Sequence, residues 1–132
     1  MSLSAATDTY IVLAQRVRAH LCRIVGKATP ITYQALAKAL DLSPPNTIYQ
    51  LTLALERLME EDAAAARPLI SALVISKARN GLPAPGFFDC ALRVGRFDGD
   101  PSGPEVPAFC AAEFDAAVEF WRATGDFRKH DV

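Results

Sequence analysis

From Tyr10 onward the apolar residues Tyr10, Leu13, Ala14, Val17, Leu21, Ile24 and Val25 recur at steps of three and four, which places them on one helical face. Thr7, Asp8 or Thr9 is expected to cap this helix and Gly26 to end it. Pro30-Ile31-Thr32 reads as a short extended entry, with Thr32 as N-cap of a second helix that buries Leu36, Ala37 and Leu40. The break Ser43-Pro44-Pro45-Asn46 stops it, because consecutive prolines cannot continue a helix. A third helix, from about Asn46 to Glu61, is capped by Asn46 or Thr47 and buries Ile48, Leu51, Leu55, Leu58 and Met59. Arg67-Pro68 must end any extension of it through Ala63–Ala66.

The pattern then changes. Leu69–Ser76 is almost wholly apolar and flanked by breakers, which predicts a buried strand. Asn80-Gly81 is a hairpin signal, since both residues tolerate positive φ. Leu82–Phe88 would return as an edge strand or irregular arm, limited by Pro83 and Pro85. Asp89–Arg96 is expected to form one or two helical turns, and Asp98–Pro107 a loop. A last helix over Ala108–Thr124 aligns Cys110, Phe114, Ala117, Val118 and Trp121, with Gly125 as C-cap and Phe127–Val132 as a frayed tail. The expected fold is mainly α with a small β hairpin: a winged-helix-like three-helix core over residues 10–88 and a C-terminal extension with a helix over 89–124. Residues 1–132 form one domain in this reading, as their number and 51% apolar content allow.

Charge adds little attraction to any partner. A net charge of -1 and a pI near 6.1 mean that nucleic-acid binding would need a local basic patch. Cys22, Cys90 and Cys110 show neither a CxxC pair nor a histidine at zinc-ligand spacing, so no disulfide framework, metal site or cofactor is expected. No apolar run reaches the roughly 18 residues of a membrane span, and Met1–Thr9 lacks the charged start and apolar stretch of a signal peptide. A cytoplasmic protein that does not engage a membrane is expected. Nor does a catalytic set stand out: His20 and His130 are far apart in sequence, Ser71 lies in an apolar run without a nucleophile elbow, and Cys90 has only Arg93 as an activating cation nearby.

The stretch Gly26-Lys27-Ala28-Thr29-Pro30-Ile31-Thr32-Tyr33-Gln34-Ala35-Leu36-Ala37 resembles the GK-x-TTYG-x-LA signature of alkylguanine-DNA alkyltransferases and alkyltransferase-like proteins. The resemblance spans roughly Arg16 to Phe88. It implies a winged-helix module whose third helix enters a DNA groove, followed by an apolar strand and a wing. The family's PCHR motif is absent, since Ile70-Ser71-Ala72-Leu73-Val74 stands where its alkyl-accepting cysteine and activating histidine would be, so alkyl transfer is excluded. The groove helix also opens with Asn46, Thr47, Ile48 and Tyr49 in place of the family's arginine, so base flipping loses its wedge. Residues 68–75 with 81–88 are similar as well to a group of bacterial proteins that share this core.

On this reading double-stranded DNA is the expected partner. Tyr33, by analogy, and Asn46, Thr47, Tyr49 and Gln50 would form the groove contact, with Lys77 and Arg79 on the wing and Arg67, Arg93 and Arg96 as further cations. Glu56, Glu60, Glu61 and Asp62 on the same helix weigh against it. The alternative is an adaptor that binds a second copy or another protein through Phe109, Phe114, Phe120 and Trp121 of the last helix, because fold alone does not fix function, and a third reading is a hydrolase or transferase with an unrecognised site.

Overall fold

The fold was obtained as a computed structural model, whose described residues are 2–79, 81–101 and 103–130, with side chains described between 11 and 123. It is mainly helical. Helix α1 (Ser2–Ile24) carries Leu13, Ala14, Val17 and Leu21 into the core on the expected face. It begins well before its apolar stripe, so Thr7, Asp8 and Thr9 lie inside the helix rather than capping it. Nor does Gly26 end it. The helix tightens into a 3-10 turn (Val25–Lys27) and stops at Ala28, which takes the left-handed conformation at φ 53 and donates its N–H to the Val25 carbonyl.

Strand β1 (Ile31–Thr32) leads into helix α2 (Tyr33–Ala39), and the Thr32 hydroxyl accepts the Ala35 N–H at 3.1 Å, as the capping pattern requires. Helix α3 (Thr47–Ala64) follows the proline break. Asn46 precedes it at φ 62 with no side-chain cap bond, so the helix start is set by backbone geometry rather than by the expected cap. Leu51, Leu55, Leu58 and Met59 are buried at helical spacing. Ile48 is not: it is 41% exposed, because the first turn of α3 projects beyond the apolar layer.

The expected strand over 69–76 is mostly a 3-10 turn (Ile70–Leu73), and only strand β2 (Val74–Ile75) pairs. The physical reason lies in its backbone donors. Asp62 accepts the Ile70 N–H and Glu113 the Leu69 N–H, each at 3.0 Å, so these groups are satisfied without a neighbouring strand. Strand β2 runs parallel to β1, with Ile31 opposite Val74 and Thr32 opposite Ile75.

The expected hairpin is therefore not formed among the described residues. Asn80, half of its turn signal, lies outside them, and Gly81 takes φ +85. The loop is closed by the Ser76 N–H donating to Leu82 O at 2.7 Å. Pro85 then opens helix α4 (Pro85–Arg93), because a proline at the first helical position loses no needed hydrogen bond. The residues read as a return strand thus start a helix.

Helix α5 (Val106–His130) is longer at both ends than expected. Pro107 sits within its first turn, and Gly125 lies inside the helix rather than at its C-cap. Residues 127–130 continue the helix, and Asp131 and Val132 lie outside the described residues. No helix, among the described residues, is long and apolar enough to cross a membrane.

Two apolar clusters result. The first is largely aliphatic and joins α1, α2, α3 and the Trp121 face of α5. The second gathers Phe87, Phe88, Phe97 and Phe109 around Met59, Leu69 and Val106. Helix α3, segment 69–74 and α5 contribute to both, which fixes one cluster against the other.

Candidate functional site

The first turn of α3 is the surface on which most of the expected contact residues meet. Asn46 is exposed, Thr47 and Gln50 are half-buried, and Tyr49 is 62% exposed beside Ile48. Gln50 Nε2 donates to Pro45 O at 3.1 Å, and the Thr52 hydroxyl to Ile48 O at 2.9 Å. These bonds tie the turn to its own backbone, and the Tyr49 ring stays outward. The first turn contains no acidic residue, which suits the positive pole of a helix for an acceptor-rich partner.

The remainder of α3 is acidic in sequence but not in effect. Glu60 is bonded by Arg93 Nη1, and Arg93 Nη2 lies 3.7 Å from Glu56. Glu61 meets Arg18 at 3.1 Å and Arg57 at 3.0 Å. Asp62, fully buried, meets Arg18 at 2.9 Å and Arg67 at 3.0 Å. The carboxylates expected to repel phosphate thus each have a guanidinium beside them, with Glu56 and Glu60 sharing that of Arg93.

The same pairing occupies cations that the sequence offers to a ligand. Arg67 serves Asp62, Arg93 serves Glu56 and Glu60, and Arg96 lies 3.8 Å from Glu113 while donating to Arg67 O. Arg79 stands 5.8 Å from the centre of the Phe88 ring, and its Nη1 is buried with no hydrogen-bond partner among the described residues. It faces the aromatic cluster rather than solvent. Lys77 remains exposed and outside any ion pair among the described residues. No hydrogen bond, ion pair or ring contact joins residues 46–50 to Lys77 or Arg79 among the described residues.

Tyr33 belongs to the interior. It is 6% exposed, and its hydroxyl accepts the Ala84 N–H at 2.9 Å, clasping the start of α2 to the start of α4. Burial pushes its ionisation above the usual tyrosine range, with the Ala84 bond and the nearby Arg79 charge opposing. Together with Thr52, Leu55, Glu56, Met59, Ser71 and Phe87 it bounds a small cavity. Burial also raises Glu56, against the pull of Arg93, and Glu60 and Asp89 push the same way.

Groups weighed for catalysis are dispersed. Ser71 donates to Leu55 O at 2.9 Å, so its hydroxyl is spent on the backbone of α3. The Cys90 thiol is pushed by burial to about 11 and lies 3.3 Å from Arg93 Nη2. His20 is partly exposed beside Arg23, at 3.1 Å, and burial and that charge lower its protonation range. His130 has no described side chain. Cys22, Cys90 and Cys110 form no disulfide, and no group of three metal-ligating side chains converges among the described residues.

The aromatic residues of α5 mostly face inward. Trp121 is 4% exposed, Phe109 and Phe114 are half-buried against the two clusters, and Phe120 is exposed at 39%. Phe114 and Val118 line a shallow groove with Ala28, Asp115, Glu119, Arg122 and Ala123.

Asp62 was missed in the sequence as a key residue, although the signal was present. It falls at the next core position after Leu55, Leu58 and Met59, so helical spacing alone buries a carboxylate there. Trp121 completes its surroundings, with the Arg18 and Arg67 guanidinium carbons 5.0 and 5.3 Å from its ring centre and its Nε1 donating to Pro68 O at 3.3 Å.

No protein-family model, no curated protein and no solved structure matches this chain.

Proposed function

We propose that this chain is a small non-catalytic DNA-binding or regulatory protein of the cytoplasm, and that it contacts double-stranded DNA through the first turn of α3. The observation that carries this reading is the state of that helix. Its exposed start offers Asn46, Thr47, Tyr49 and Gln50 without any acid, and every carboxylate further along it has an arginine beside it. Helices α1–α3 with the β1/β2 pair would then be a winged-helix type of core in which the tight loop after β2 replaces a full wing, carrying Lys77 outward. The likeness of residues 26–37 to the alkyltransferase signature supports the same reading, with binding retained and alkyl transfer lost.

This geometry dictates an unusual binding signature. Each neutralised phosphate contributes about 0.9 to the slope of log affinity against log salt, and among the described residues Lys77 is an exposed cation of the expected wing that makes no ion pair. The slope should therefore be shallow, about -1 to -2. Fluorescence anisotropy with short labelled duplexes, plain and carrying an alkylated guanine, tests this at two salt concentrations. Saturable binding with that slope, weakened by Tyr49→Ala and Lys77→Glu, is the expected outcome. No anisotropy change at low salt would overturn the proposal.

A second reading is favoured by the apolar character of the same turn, where Ile48 and Tyr49 are 41% and 62% exposed side by side. A surface of this kind also suits an adaptor that docks a protein, with a second copy of the chain as the first partner to test. Sedimentation velocity across a range of concentrations distinguishes the two: a dimer lost in Ile48→Asp supports the adaptor, whereas a monomer that binds duplex supports DNA.

A further inference from the structure

We draw no further inference here: the strongest candidate, the small cavity between α2, α3 and α4 bounded by Tyr33, Thr52, Leu55, Glu56, Met59 and Phe87, has room for about one water molecule, and nothing in the structure points to a ligand that it would take.

Discussion

The two ends of α3 are built on opposite principles. Its last turn is interlocked: Asp62 is completely buried and tied to Arg18, Arg67 and the Ile70 N–H, while Arg96, Glu113 and Trp121 close around them. Its first turn has little packed against it, and its side chains are uncharged and outward. The difference teaches that charge in this protein mainly serves architecture. Arg67, Arg93 and Arg96, which look like binding cations in the sequence, pair with acids of the fold, and the surface we propose for a partner is made from Asn46, Thr47, Ile48, Tyr49 and Gln50 with Lys77.

The largest test of that contrast is Asp62→Ala. Removing one member of a buried ionic set leaves the others uncompensated, so unfolding free energy should fall by about 3–5 kcal/mol, read by urea denaturation. A loss under about 1 kcal/mol would mean that the last turn is not anchored by Asp62. Ser71→Ala comes next, at about 1–3 kcal/mol, because the substitution removes a buried hydroxyl and leaves Leu55 O without that donor. The same denaturation series checks it.

Glu56 sharpens the comparison through pH. Its folded-state range is raised, chiefly by burial, so the folded state binds its proton more tightly than the unfolded state does. Its contribution is therefore favourable at pH below the unfolded value and is lost as pH rises through the folded one. Glu56→Gln should flatten that part of the stability profile and leave the protein slightly more stable at neutral pH, measured as midpoint shifts between pH 4 and 8 as about the working range. A variant less stable than the parent at pH 7 would show that the Arg93 contact outweighs burial.

The smallest effect on stability belongs to Tyr49→Ala, within about 0.5 kcal/mol, as for surface positions that pack against nothing. The same variant should lose partner binding. A stability loss comparable to that of Ser71→Ala would make Tyr49 a structural residue and end the contrast between the two ends of the helix.

How far this architecture is readable in the sequence depends on the range of the interactions concerned. Leu13, Val17 and Leu21, Leu36 and Leu40, and Leu51, Leu55 and Leu58 reveal the helices because their periodicity is local. Thr32 reveals its cap for the same reason. Segment 69–76 misleads because an apolar run is buried alike in a strand or a 3-10 turn, and the acceptor that decides the matter for Leu69 is Glu113, 44 positions away. Pro83 and Pro85 carried a second ambiguity, since a proline that weakens a strand is equally suited to open a helix.

The site shows the same division. Exposure of Tyr49 at the head of a helix follows from its place outside the Leu51, Leu55 and Leu58 stripe. The inward orientation of Tyr33 and Arg79 depends on Ala84 and Phe88, and the pairing of Arg67, Arg93 and Arg96 on acids distant in sequence. Charge counted along the chain cannot tell a cation held by a carboxylate from one offered to a ligand. Pairing in three dimensions makes that distinction.

The bond that the Leu69 N–H donates to Glu113, and the seat of Trp121 against Arg18, Arg67 and Pro68, also bear on the order in which the fold can close. These contacts join the beginning, middle and end of the chain, so the closing of this region carries a high loop-entropy cost. Until α5 is in place, α1 to α3 can collapse locally, but the Leu69 N–H has no Glu113 to accept it and Arg18 and Arg67 have no indole to cover them. The final register of this region is therefore reached only once α5 is available to dock on it.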